Sequence, residues 1–305
     1  MTIKVTPLMP GFAARIAGVD AARASDADVG AVKAAMVEYG VVVLPDQRLT
    51  EEEQVAWGAR FGPLDSNPLA RNSYNKGMRD DLLGVANAGA DGKPFEATDR
   101  RRLLDMGNKF WHTDSSFKAV TAHLSMLYGI RVATEGGETQ FADMRAAYDA
   151  LSPDMRDLVE GLVAEHSATH ARVMLGFDDW NADQLADLGR VFAHDLVRTL
   201  PESGRRSLYL SSHAARISGL PTPVGRMLLH ELTELATTQD NVYTHSWRTN
   251  DLVIWDNRCT MHRLRRYKAS AEARILRRVT TLDPTFPARD PAAVTVPAWV
   301  LDRAA

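Results

Sequence analysis

The chain has 305 residues, 45% of them hydrophobic and 25% charged, with a formal net charge of −3. That composition is enough for a sizeable core and excludes a polar disordered chain, and it supplies no overall basic field for nucleic acid. The lone cysteine, Cys259, leaves no internal disulfide, residues 1–7 lack the apolar core of a leader, and no apolar run is long enough for a bilayer, so a cytoplasmic protein without membrane contact is expected.

In chain order, Ser25 with Asp28 three residues on makes a capping box, and the helix it opens stops at Gly40. Residues 41–44, three valines and a leucine, predict a buried strand ended by Pro45 and Asp46. A second capping box, Thr50 with Glu53, opens a helix through Val55, Trp57 and Phe61 that Gly62 and Pro63 terminate. Residues 65–80 are polar and without period, which suggests a lid or binding loop. Strands are expected at 83–88 and 110–117, on either side of a charged connection whose Asp99-Arg100-Arg101-Arg102 run reads as solvated surface. Residues 124–132 predict a further strand, and Gly136-Gly137 turns into another that carries Thr139 and Phe141. Ser152 and Pro153 start a helix with Met155, Leu158, Val159 and Leu162 on one face. Later strands fall near 191–196, 207–211, 242–247, 252–255 and 275–282, interrupted by a helix over 223–236. Many strands with a few mostly early helices predict an α+β chain with a mainly β core, a sandwich or open barrel flanked by helices. Residues 1–305 are expected to form one catalytic domain.

The chemistry centres on Trp111-His112-Thr113-Asp114. In a strand, His112 and Asp114 would point to one face and Thr113 to the other. An imidazole and a carboxylate side by side supply two thirds of a facial triad, and a second histidine would complete the ligand field of non-haem Fe(II) oxygenases. On its own, His-x-Asp is a weak signal that ordinary surface or core pairs also give. Among nine histidines His262 is the strongest candidate for the third position, because it follows the buried run Leu252-Val253-Ile254-Trp255 and the polar Asp256-Asn257-Arg258. Downstream, parity along 274–282 puts Arg274, Leu276 and Arg278 on one face and Arg277 on the other. Arg274 and Arg278 would then sit roughly 13 Å apart at about 3.3 Å per residue. Two inward guanidiniums are costly to bury without anions to meet them, and their forked donors suit carboxylates. The arrangement anticipates two anionic ligands. The competing reading is that Arg263, Arg265, Arg266, Lys268, Arg274, Arg277 and Arg278 form a basic surface for nucleic acid, which the acidic chain and the lack of interleaved aromatics disfavour.

These residues carry a family resemblance. The chain resembles the Fe(II)- and 2-oxoglutarate-dependent dioxygenases of the taurine dioxygenase group, and within it the branch that acts on phenoxyacetates. The resemblance is dense in 111–117, 136–139, 141–151, 251–263 and 276–283. Two departures are Asn250, where relatives usually carry Gly, and one more residue between His262 and Arg274 than the taurine-specific relatives have. Asn tolerates left-handed angles, so the turn at Asn250 should survive. The resemblance implies a double-stranded β-helix, or jelly roll, with His112, Asp114 and His262 as iron ligands. It implies Thr139 and Arg274 on the distal carboxylate of 2-oxoglutarate, Arg278 on an anionic small-molecule substrate, and Asn108 and His213 in the substrate pocket. Fe(II), 2-oxoglutarate and O2 follow as cofactor and co-substrates, and a homo-oligomer is expected.

On this reading an aryloxyalkanoate is hydroxylated next to its ether oxygen and splits to a phenol and glyoxylate, or pyruvate from a propionate, alongside succinate and CO2. The same chemistry on a sulfonate or alkyl sulfate stays open, because Arg278 cannot separate these anions by charge. A jelly-roll protein that binds metal without catalysis, with a structural zinc, is the remaining alternative. Such sites are usually closed by four ligands and rich in cysteine, and Cys259 has no second thiol to join it.

Overall fold

Alternation along the strands sets the layers of the computed structural model, which describes residues 2–66, 79–89 and 91–304. In the strand Val41–Leu44, Val41 and Val43 face one core while Val42 and Leu44 face another. The strand Leu252–Asp256 divides in the same way, with Val253 and Trp255 on one side and Leu252 and Ile254 on the other. Both strands lie inside a seven-stranded sheet. Its order is Lys4–Pro7, Ala14–Ala17, Val41–Leu44, Leu252–Asp256, Thr121–Arg131, Ile275–Asp283 and Leu83–Ala86. All neighbours in it are antiparallel except Ala14–Ala17 with Val41–Leu44.

The outer face of this sheet is covered by the helices Asp26–Tyr39 and Glu51–Ala59. Val32, Met36 and Trp57 meet Val42, Met126 and Ile254 there, each worth about 1.5–3 kcal/mol when fully buried. Both capping boxes form: Ser25 Oγ accepts from the Asp28 N–H, Thr50 Oγ1 from the Glu53 N–H, and each acidic side chain accepts in return from the N-cap N–H. Gly40 closes the first helix at φ 70°, where a Cβ would be strained. The second ends at Ala59, short of Phe61, whose N–H bonds the Gly58 carbonyl in a turn.

The inner face packs on a smaller antiparallel sheet of Val242–His245, Thr139–Asp143 and Thr260–Leu264. Phe141 from this sheet sits 5.4 Å from the Trp255 ring, among Leu127, Val253 and Leu276. On the far side Ala142 and Met261 meet Leu158, Leu228 and Leu232 from the helices Pro153–Val159 and Thr222–Ala236. Two mainly antiparallel sheets face to face, with helices outside, form the jelly-roll core expected from the sequence. No helix among the described residues is long and apolar enough to cross a membrane.

Some expectations are corrected. Residues 110–117 are not a strand: His112 makes an isolated bridge with His262, and residues 114–117 form a turn with Ser115 at φ 52°. Side chains there replace the ladder, since the Thr113 N–H donates to Ser211 Oγ and the Asp114 N–H to Asn257 Oδ1. The charged run at 99–102 is not merely surface. Asp99 caps a short helix, Arg100–Asp105, and Arg102 bonds the Phe95 carbonyl and Ser270 Oγ. The lid expected around 65–80 falls mostly on residues 67–78, outside the described residues. Asn250 adopts φ 70°, as its turn requires.

Candidate active site

Mutual backbone hydrogen bonds bring the two histidines together: the His112 N–H donates to His262 O at 3.0 Å and the His262 N–H to His112 O at 2.8 Å. Their rings lie 4.1 Å apart, and His262 is packed against Trp255 and Phe141. His112 Nδ1 bonds the Phe110 carbonyl at 2.9 Å, which leaves Nε2 for a metal. Asp114 completes a buried group in which one ligand atom from each residue lies within 4.8 Å of the others.

Protonation suits a metal. Burial lowers the pKa of both imidazoles, His262 well below its ordinary value, so each is neutral and has a lone pair to give. Burial pushes the Asp114 carboxyl up, but the Arg278 guanidinium, with the Ser125 hydroxyl, holds the group below the usual carboxylate range. Asp114 Oδ1 accepts from Arg278 Nη1 at 2.5 Å and Oδ2 from Ser125 Oγ at 2.7 Å. Two neutral imidazoles and one carboxylate on one face fit Fe(II), with positions left for other ligands. Among the described residues no fourth protein ligand joins them, which argues against a closed structural zinc site. Cys259 is buried on the Asp256 carbonyl instead, and His245 pairs with Asp251 at 3.2 Å.

All eight residues singled out from the sequence line one cavity of about 360 Å³: Asn108, His112, Asp114, Thr139, His213, His262, Arg274 and Arg278. Thr139 is delivered by the Gly136-Gly137 turn, where a Cβ on Gly136 would fall 2.3 Å from Arg266 O. Its hydroxyl accepts from Trp247 Nε1 at 2.9 Å. Arg274 Nε bonds the Gly137 carbonyl, so the second arginine is braced by the same turn.

Arg274 precedes the strand Ile275–Asp283, whose pairing shifts between Ile275 and Leu276, so simple parity does not place it. Parity does hold from Leu276 to Arg278: Leu276 enters the inner core, Arg278 reaches the cavity, and Arg277 turns outward to Gln54 Oε1 and Leu49 O. These three arginines are therefore committed inside the fold, against the basic-surface reading. Asn108 Nδ2 is tied to Asp105 Oδ1. His213 Nδ1 lies 2.9 Å from Ser211 Oγ, its ring packs on Phe117 at 4.7 Å, and burial takes its pKa down to about 3.

Residues 4–280 match the family described as "Taurine catabolism dioxygenase TauD, TfdA family". The chain belongs to this family. It is 41% identical over 285 residues to the alpha-ketoglutarate-dependent 2,4-dichlorophenoxyacetate dioxygenase of Cupriavidus pinatubonensis, covering 93% of this chain and 99% of that one. Identity is 36% over 266 residues to the (S)-phenoxypropionate/alpha-ketoglutarate-dioxygenase of Sphingobium herbicidovorans, with 85% and 88% covered. The crystal structure of AAD-2 in complex with Mn(II) and N-oxalylglycine superposes with a TM-score of 0.87 at 40% identity, covering 95% of this chain and 100% of that one. The protein is thus a dioxygenase, and Fe(II) with 2-oxoglutarate and O2 stands as its cofactor set.

The sequence did not disclose the supports around the triad. Ser125, Trp247 and Asn257 each hydrogen-bond a candidate site residue, and nothing in their spacing marks them.

Proposed function

We propose that this dioxygenase hydroxylates an aryloxyalkanoate on the carbon next to the ether oxygen. His112, Asp114 and His262 hold the iron, Thr139 and Arg274 take the distal carboxylate of 2-oxoglutarate, and Arg278 takes the carboxylate of the substrate. The observation that carries this reading is the contact of Arg278 with Asp114: an anion held by that guanidinium lies directly beside the metal face. When bound, iron with 2-oxoglutarate and O2 supplies the oxidising power, giving succinate, CO2 and one oxygen atom for the substrate.

The protein's own part is placement. Arg278 orients the carboxylate, while Leu82, Leu83, Val85 and Phe117 line the cavity for the ring. Its volume lies in the range of sites for small molecules of this kind. Asn108 and His213 complete that wall. Hydroxylation at this carbon leaves a hemiacetal, which falls apart to a phenol and glyoxylate, or pyruvate from a 2-aryloxypropionate. The names of the phenoxy-acid relatives support the same substrate class.

The test sets phenol release from phenoxyacetate and chlorinated analogues beside sulfite release from taurine and aldehyde release from an alkyl sulfate. The aryl ring should add a few kcal/mol over a two-carbon chain at roughly 25 cal/mol per Å2 buried. Phenol should therefore form fastest at equal substrate concentration. Faster sulfite or aldehyde release would overturn the aryloxy assignment and leave the iron chemistry standing. Separately, Arg274→Met should raise the KM for 2-oxoglutarate roughly ten- to a hundredfold, for the loss of a charged hydrogen bond worth about 1.5–3 kcal/mol, and spare that for the aryloxy acid. Equal effects on both constants would refute the division of labour between Arg274 and Arg278.

A further inference from the structure

Asp114 stands in a turn with no sheet ladder to fix it, yet one of its carboxylate oxygens faces His262 across 3.8 Å. Something must hold that oxygen. Oδ2 accepts from Ser125 Oγ at 2.7 Å, and Ser125 lies fully buried on the interior strand Thr121–Arg131. Ser125 Oγ in turn accepts from Asn257 Nδ2 at 2.9 Å. The Asn257 carboxamide, 1% exposed, then closes the circuit, because its Oδ1 accepts the Asp114 backbone N–H at 3.2 Å.

Every hydrogen-bonding position of this amide is used. Oδ1 also accepts from Trp255 Nε1 at 3.1 Å, and Nδ2 also donates to the His123 carbonyl at 3.2 Å. The partners dictate which way the amide faces: a backbone N–H and an indole N–H both require the oxygen. With Nδ2 thereby turned toward Ser125, the serine receives one hydrogen bond and spends its own proton on Asp114. Among the described residues that hydroxyl has one further hydrogen-bonding contact, Thr280 Oγ1 at 3.5 Å.

We propose that Asn257, acting through Ser125, is a positioning residue for the metal-binding carboxylate. It grips both the backbone and, by relay, the side chain of Asp114, and aims one oxygen at the face shared with the two histidines. The inference rests on reading His112, Asp114 and His262 as the metal site. Arg278 alone cannot do this work, because it holds the other oxygen and is itself assigned to the substrate. An aspartate at 257 would keep the two acceptor contacts but could no longer donate to Ser125. The serine proton would then have two carboxylates to choose between.

The test is titration of the purified full-length protein with Co(II) alone, followed by visible absorption, with far-UV circular dichroism and thermal melting in parallel. Ser125→Ala and Asn257→Asp should each weaken Co(II) binding ten- to a hundredfold, the usual cost of removing the support of a metal ligand, while the folded spectrum is retained. Wild-type Co(II) affinity in both variants, with at most a lowered melting temperature, would show a merely structural network and overturn the proposal. If the aspartate variant fails to fold, Ser125→Ala decides alone, since it deletes one hydroxyl and leaves the backbone grip intact. No Co(II) binding by the wild type would instead sink the metal site itself, and this inference with it.

Discussion

Replacing His112, Asp114 or His262 by alanine is expected to cut turnover below roughly a thousandth of wild type, a barrier cost above about 4 kcal/mol. The reason is arithmetic of ligands. A site built from three protein groups has none to spare, and no further His, Cys, Asp or Glu among the described residues joins this group. The three side chains are buried but approach from different elements, a bridge residue, a turn and the strand Thr260–Leu264, so each can be removed without breaking a sheet ladder. Activity with 2-oxoglutarate and Fe(II), circular dichroism and bound metal would be measured on each variant. A folded His262→Ala protein with substantial turnover would mean that another residue completes the site.

The second large effect concerns Arg278. Arg278→Gln should raise the KM for the aryloxy acid roughly ten- to a hundredfold, for the loss of a charged hydrogen bond worth about 1.5–3 kcal/mol. The contact of its Nη1 with Asp114 Oδ1 makes a second outcome conceivable, in which the variant chiefly disturbs the metal ligand. Kinetics separate the two. A rise in substrate KM with kcat and Co(II) affinity kept marks an anion-binding arginine. A fall in metal affinity with substrate KM unchanged would show that Arg278 serves Asp114 alone, and would remove the basis for assigning a carboxylate to it.

Much of this was legible because local chemistry and burial agree. The capping boxes at Ser25 and Thr50, the stop at Gly40 and the buried run 41–44 are decided by neighbours in sequence, and all of them form. The site residues were legible as motifs, and the fold gathers them into one cavity. Where the reading failed, long-range contacts had overruled the local pattern. Residues 110–117 look extended, but the Thr113 and Asp114 amides are claimed by Ser211 and Asn257, 98 and 143 residues away, and the chain turns instead. Likewise the strand Thr260–Leu264, which carries His262, lay hidden behind the polar Asp256-Asn257-Arg258. That polarity is satisfied within the fold: Arg258 bonds Asp256 and Glu202, and Asn257 bonds Ser125. The strand pair Lys4–Pro7 and Ala14–Ala17 gave no signal at all, since the first is exposed throughout and neither exceeds four residues. Both arginines reach the cavity, but strand parity accounts only for Arg278, since the register shifts between Ile275 and Leu276.

On the proposed function, one cavity couples breakdown of 2-oxoglutarate to cleavage of an aryl ether. The most direct measurement is the yield of phenol, glyoxylate and succinate from phenoxyacetate in the presence of Fe(II), 2-oxoglutarate and O2, with each omitted in turn. Equal molar amounts of the three products, all lost when any component is left out, are the result predicted. Succinate formed without phenol at saturating phenoxyacetate, or phenol formed without 2-oxoglutarate, would contradict it.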